Sequence, residues 1–266
     1  MKITIATVGW NEAETILPVI RYYLEICRFN KFIYFDNFSS DNTVEKIKSV
    51  YLADERVIIL NTPYVGHLPD DEVLLMNATM SQDSNDVFIW IDSDEILFCK
   101  DWQNHLNNLK NSKKYYSATL MSNVYNSLNS FDETKENILD NFEQVYTDPV
   151  FKIPIIIKSD QHVITFGGGH HTVCIDGIYV GDNNPDISFA DPELHLFHFT
   201  YINTDMYYRR KTLGRERNLN LGINNSWYHD YWNLTSTDIQ GVIENQKANG
   251  KLMLDDLDIL NMNYLI

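Results

Sequence analysis

The chain has 266 residues, 44% hydrophobic and 22% charged, a composition that supports a sizeable core in one large domain or in one domain with an appendage. Its formal net charge of −16 excludes a broad electrostatic grip on nucleic acid. Peripheral contact with a membrane stays open, and a bound metal can supply positive charge locally for a phosphorylated ligand.

Three widely spaced cysteines, Cys27, Cys99 and Cys174, form neither a disulfide framework nor a zinc motif, so reduced thiols are expected. The N-terminus, MKITIATVGWNEAE, reads as a first strand rather than a signal peptide. No stretch approaches the roughly 20 apolar residues of a membrane helix. A cytoplasmic protein is expected.

In chain order, Lys2–Val8 reads as a buried strand and Gly9-Trp10-Asn11-Glu12 as a turn. Ala13–Phe29 carries Ile16, Leu17, Ile20, Tyr23, Leu24 and Cys27 at helical spacing, with Pro18 near the start, where a missing N–H is tolerated. Lys31–Phe35 is a second strand. The polar loop Asp36–Thr43 follows, in which Ser40 or Asp41 can cap a helix from Thr43 to Tyr51. Arg56–Asn61 is a third strand, Asp70–Ser81 a helix, and Val87–Phe98 (VFIWIDSDEILF) a fourth strand.

Strands and helices alternating at this spacing predict βαβ units and a parallel sheet. Ligands bind such sheets outside the carboxyl ends of the strands. Polar residues concentrate there: Asn11 and Glu12, Asp36 to Asp41, and Asp92 to Glu95. Beyond Phe98 the pattern predicts a helix over Trp102–Leu109, strands over Tyr115–Tyr125, Lys152–Lys158, Thr172–Val180 and Glu193–Tyr201, and a polar loop over Ser127–Tyr146. Pro154 marks Lys152–Lys158 as an edge or irregular strand. Asp205–Leu219 is a basic helix with Arg209, Arg210, Lys211, Arg215 and Arg217, and Asp238–Ile266 is a helical tail.

Asp92, Asp94 and Glu95 at the end of an apolar strand are costly to desolvate unless something neutralises them. Mn²⁺ or Mg²⁺ does so well, because hard oxygen donors suit these ions. Asp92-Ser93-Asp94 is a D-x-D motif, whose alternate carboxylates can share one metal that bridges a diphosphate.

Together, Asn11-Glu12-Ala13, Asp36-Asn37-Phe38-Ser39-Ser40-Asp41-Asn42-Thr43 and Asp92-Ser93-Asp94-Glu95 resemble the GT-A glycosyltransferases, most closely a branch of family 2. His198-Phe199-Thr200-Tyr201 and the basic helix after it are similar to that branch's downstream region. The resemblance implies an α/β fold of GT-A type with a mostly parallel central sheet and C-terminal helices. It implies a catalytic domain over 1–203, with a nucleotide-binding half over 1–100 and an acceptor half over 101–203, and a helical extension over 204–266.

It further implies metal-dependent transfer of a sugar from a nucleotide-diphosphate donor, by family habit UDP, to a hydroxyl of a glycan or other acceptor. Asp92 and Asp94 would hold Mn²⁺ or Mg²⁺, with His198 or His170 completing the shell and Glu95 orienting the carboxylates. Asp36 would sit by the base or ribose, Thr7, Asn11 and Glu12 on the nucleotide side, Asn77 beside the donor sugar, and Lys211 or Arg215 at the diphosphate. The Glu-Asp pair many inverting members carry after the D-x-D is not evident. Asp191 and Glu193 are the candidates for the base.

Structural readings stand beside these. His195 suits a hydrogen-bonded strand histidine, His170 and His171 a flexible turn after three glycines, and the basic helix a solvated, salt-bridged surface. Two other classes remain open. An aspartyl-nucleophile phosphohydrolase also uses D-x-D after a strand, usually the first strand and with Thr or Val where Ile96 stands. A catalytically silent nucleotide- or glycan-binding domain is the other.

Overall fold

The computed structural model describes residues 1–66, 69–125, 131–167, 171–181, 190–199, 202, 212–214 and 216–223. Strands β1 (Ile3–Gly9), β2 (Lys31–Asp36), β3 (Val57–Asn61) and β4 (Val87–Trp90) run parallel in the order β3-β2-β1-β4. Helices α1 (Ile16–Arg21), α2 (Thr43–Tyr51) and α3 (Pro69–Gln82) connect them.

The long helix expected over Ala13–Phe29 is α1 followed by a π turn over Tyr22–Ile26, which closes as Cys27 N donates to Tyr22 O at 2.9 Å. Tyr22 and Tyr23 reach from this turn to Leu97. Tyr23 Oη accepts from Leu97 N at 2.7 Å, and Tyr22 Oη donates to Leu97 O at 3.3 Å.

The stretch Val87–Phe98 is two strands rather than one. β4 ends at Trp90, Glu95 N donates to Asp92 O at 3.1 Å, and β5 (Glu95–Cys99) begins at once. After it come α4 (Trp102–Asn111), capped by the Asp101 carboxylate on Asn104 N at 3.0 Å, then β6 (Tyr116–Tyr125) and β7 (Gln144–Ile157). Next, β8 (Ile164–Phe166), β9 (Thr172–Ile175) and β10 (Ile178–Gly181) form a small antiparallel sheet. The expected single strand over Thr172–Val180 is thus a hairpin, turned at Asp176 (φ 51°) and Gly177 (φ 86°), an Asp-Gly pair suited to a type I′ turn. β11 (Leu194–His198) completes the main sheet.

That sheet has the order β3-β2-β1-β4-β7-β6-β11-β5. The pairings make β1, β2, β3, β4, β6 and β11 point one way, with β7 and β5 opposed. Laid flat, β4 and β5 would lie about 19 Å apart, at ~4.8 Å per strand. The Ile91–Asp94 link, tightened by its turn, cannot span that gap, so this half of the sheet rolls to bring β5 back beside the end of β4.

Pro154 lies in an interior strand, so of the two readings, edge or irregular strand, the irregular one holds. The β6–β7 register slips between Ser117/Ile155 and Thr119/Lys152, so the missing proline N–H falls at a bulge. One face of the sheet packs on α1, the π turn and α2 through residues such as Ile20, Tyr23 and Ile47. Met76 and Met80 of α3, with Phe166 and Val173 of the small sheet, cover the other.

Candidate functional site

The C-terminal ends of β1, β2, β4, β6 and β11 share one edge of the sheet. At the end of β1 a Cβ on Gly9 would meet Tyr34 Oη at 2.5 Å, so only glycine lets the turn pass so close. Asn11 then takes a left-handed conformation (φ 59°), which asparagine tolerates. Its Oδ1 accepts from Ser40 N (2.8 Å) and Asp41 N (3.2 Å), and its own N donates to Ser39 Oγ (3.0 Å). Glu12 N donates to Thr43 Oγ1 (2.8 Å), while its buried carboxylate accepts from Ser93 Oγ (2.7 Å) and Thr15 Oγ1 (3.0 Å). The pair therefore ties three strand ends together: its own, the loop after β2 and the turn after β4.

Asp36 is buried and accepts from Ser39 N. Asn37 beside it holds Gly66 through both amide atoms, at 2.7 and 3.0 Å. Arg217 arrives over this corner: Nη2 donates to Asn37 Oδ1 at 2.8 Å and to Asn37 O, and the guanidinium lies 4.7 Å above the Trp10 ring. Burial lowers the Arg217 pKa, and the nearby Asp36 charge opposes that. Trp10, Asn11, Ser40, Val65, Glu216 and Arg217 line an open cleft here. Of the basic segment, positions 212–214 and 216–220 are helical; Lys211 and Arg215 lie outside the described residues, as do His170 and the Asp238–Ile266 tail.

The turn after β4 is neutralised in a way the sequence reading does not foresee. Lys152 of β7, buried in the sheet, donates to Asp92 Oδ2 at 2.6 Å and to Glu95 Oε1. Glu95, fully buried, uses Oε2 to accept from Asp92 N at 3.0 Å. Burial alone would lower the Lys152 pKa, but the two carboxylates outweigh it and hold the ammonium charged. Where the sequence reading looks to a divalent cation to offset these acids, a lysine offsets Asp92 and Glu95.

Asp94 differs. Its Oδ2 lies 2.9 Å from His198 Nε2, and His198 Nδ1 is 3.1 Å from Asn123 Oδ1 on β6. Both ring nitrogens thus lie at hydrogen-bond distance from an acceptor oxygen, and Asn123 fixes the ring with Nε2 turned toward Asp94. Two cis ligands at ~2.1 Å from an octahedral ion lie about 3.0 Å apart, so this oxygen–nitrogen pair fits a bound Mn²⁺ or Mg²⁺.

Asp191 and Glu193 are not brought to that pair. They precede β11, whereas His198 ends it, and five residues of extended strand place the two ends roughly 13 Å apart. There Glu193 Oε2 lies 3.1 Å from His105 Nδ1, and Asp191 Oδ2 lies 3.9 Å from His105 Nε2. His195 sits among Phe98 and Phe197 rings, its pKa lowered by burial. Thr7 is fully buried in β1, and Asn77 spends Oδ1 and Nδ2 on the Phe166 backbone at 2.8 and 3.0 Å. Burial pushes the Cys27 and Cys99 thiols up to about 12, which suits the expected reduced thiols.

Lys152, Asn123 and His105 are the residues sequence reasoning passes over. For Lys152 a signal exists: a lysine opening the apolar run KIPIII demands a buried carboxylate partner.

No protein-family model and no curated protein matches the chain. Among solved structures, the chain is similar to S. aureus TarS, with a TM-score of 0.40 and 11% identity over 94% of this chain and 44% of that one. S. aureus TarS 1-349 in complex with UDP-GlcNAc gives 0.35 and 13%, covering 46% of this chain and 34% of that chain. Glucosyl-3-phosphoglycerate synthase from Mycobacterium tuberculosis gives 0.28 and 20%, covering 36% and 34%. These matches thus span less than half the length of the proteins concerned, and likenesses of this size carry no argument about chemistry. The fold itself is mixed α/β with a large, rolled, mostly parallel sheet. Among the described residues, no helix is long and apolar enough to cross a membrane.

Proposed function

We propose that the chain is a metal-dependent glycosyltransferase of GT-A type that moves a sugar from a nucleotide-diphosphate donor, UDP first, to a hydroxyl of a glycan or other acceptor. The observation that carries this reading is the Asp94–His198 pair, 2.9 Å apart, on the same sheet edge as the cleft between Trp10, Asn11 and Arg217. Open α/β sheets bind nucleotides at that edge.

In this reading Asp94 and His198 hold Mn²⁺ or Mg²⁺, and the bound ion supplies Lewis-acid stabilisation of the departing diphosphate. Asn123 orients His198, and Lys152 fixes Asp92 so that the D-x-D turn keeps one shape. Trp10, with Arg217 stacked 4.7 Å from its ring and bonded to Asn37, offers an aromatic and polar wall for the base, and Asp36 lies next to Asn37 in the chain. Asn11 and Glu12 hold the cleft wall in place rather than reaching a ligand through their carboxylate and amide atoms. Residues 1–203 would form the catalytic unit and 204–266 an extension that brings Arg217 to it.

Calorimetric titration of UDP, GDP and CDP with and without Mn²⁺ tests the proposal. Binding of one nucleoside diphosphate that requires Mn²⁺, lost in Asp94→Ala, is expected. Metal-independent binding overturns the site, and turnover of a generic phosphate ester with no response to nucleotide sugars overturns the reaction class.

A further inference from the structure

His105 is almost wholly buried on α4, and its two nitrogens are treated differently. Nδ1 lies 3.1 Å from Glu193 Oε2, a hydrogen bond that places a proton on Nδ1 and, in the neutral ring, leaves a lone pair on Nε2. Nε2 is buried and has no hydrogen-bond partner among the described residues. What it faces is another acceptor, Asp191 Oδ2, at 3.9 Å.

Asp191 is held firmly in that position. Ser117 Oγ donates to Oδ2 at 3.0 Å, Glu193 N donates to Oδ1 at 3.1 Å, and the Asp191 N–H donates to Ala118 O at 2.8 Å. Two acceptors facing one another in a buried site repel unless a cation lies between them. A gap of 3.9 Å is too long for a hydrogen bond. It falls between the ~3.4 Å of two tetrahedral ligands and the ~4.2 Å of two trans ligands, for a metal ~2.1 Å from each. One donor atom from each of His105, Asp191 and Glu193 lies within 4.8 Å of the others.

We infer that His105 Nε2 and Asp191 form a second divalent-metal site, distinct from the Asp94–His198 pair, with Glu193 holding the His105 tautomer through Nδ1 and within reach as a further ligand. An imidazole with carboxylates selects a transition ion, Zn²⁺ ahead of Mn²⁺, over Mg²⁺. The ion would clip α4 to the start of β11, at the end of the sheet remote from the nucleotide cleft. Glu193, its side chain 54% exposed, leaves the site an approach from solvent.

The test uses the Asp94→Ala chain, so that the other pair does not contribute, and titrates it with Zn²⁺ by calorimetry while following the melting temperature. One equivalent of Zn²⁺ and a rise in melting temperature are expected, with Mg²⁺ producing neither. Adding His105→Gln should abolish the response, and adding Glu193→Gln should weaken Zn²⁺ binding by about 10- to 100-fold. Glu193→Gln is the variant that keeps the test decisive if His105→Gln fails to fold, because its side chain is half exposed. Absence of Zn²⁺ binding overturns the inference; so does binding that Glu193→Gln and His105→Gln leave unchanged. Neither result bears on glycosyl transfer, so the two proposals fail separately.

Discussion

The two ends of β11 carry the same chemical ingredients, an imidazole and carboxylates, in different arrangements. At the C-terminal end His198 lies between Asn123 and Asp94, at 3.1 and 2.9 Å. At the N-terminal end His105 has a carboxylate at Nδ1 and a 3.9 Å gap at Nε2. Strand β6 serves both, sending Asn123 to one and Ser117 to the other. Residue type therefore does not distinguish the two clusters, whereas strand direction does. Parallel strands present their carboxyl ends to ligands, so only the Asp94–His198 end shares an edge with the Trp10–Arg217 cleft.

The largest expected effect breaks that contrast on turnover. Asp94→Ala should lower metal-dependent hydrolysis of a nucleotide-sugar donor by about 10³-fold, since a bound Lewis acid contributes several kcal/mol to the barrier. Steady-state rates against Mn²⁺ concentration measure this. A loss of that size from Glu193→Gln instead would reverse the assignment of the two ends.

Next comes stability. Lys152→Met leaves the fully buried Glu95 carboxylate without its cation and should cost about 3–5 kcal/mol in denaturant unfolding. Lys152→Met combined with Glu95→Leu should recover most of that loss, because it leaves no buried charge orphaned, the remaining Asp92 side chain being 41% exposed. A double variant as unstable as the single one would mean that Lys152 acts mainly through packing.

Asn123→Ala and Ser117→Ala sharpen the comparison at a smaller scale. Each removes a hydrogen bond that orients one cluster, and each should weaken metal binding at its own end of β11 by about 10- to 100-fold. Calorimetry with Mn²⁺ and Zn²⁺ separates them; equal effects of both variants on one ion would mean that the clusters are coupled.

How much of this is legible in the sequence follows from the range of the interactions. β1 to β3, α2, α3 and the start of β4 can be read within a residue or two, because apolar period and polar loops are local signals. The break inside Val87–Phe98 is not local. What makes Glu95–Cys99 a separate strand is pairing with Leu194–His198, about a hundred residues away. The same distance hides which end of the sheet Asp191 and Glu193 occupy. Their proximity in sequence to His198 suggests one site, and the direction of β11 divides it into two. Pro154 is half legible: proline marks an edge or an irregular strand, and only the β6 register decides for the bulge. The Asp176-Gly177 turn is legible, and a continuous apolar reading of Thr172–Val180 conceals it.

The smallest expected effect concerns a carboxylate at neither end of β11. Asp83 is held by Lys31, which opens β2, at 2.6 Å and by Lys158, just after β7, at 3.5 Å. Burial pushes its pKa up, but hydrogen bonds from Lys31 and Thr4 and the Lys158 charge outweigh that and hold it below the usual carboxylate range. A carboxyl whose folded pKa is depressed binds its proton more readily in the unfolded chain. Its contribution is therefore present above the unfolded value of about 3.9 and is lost as pH falls through the folded one. Asp83→Asn should cost about 1–3 kcal/mol at neutral pH. The deficit should shrink as pH drops through about 4 and below, where the parent chain loses the same charge. Denaturant midpoints measured from pH 7 to pH 3 check the sign: a deficit that grows on acidification would mean that Asp83 is buried protonated and that the lysines bind elsewhere.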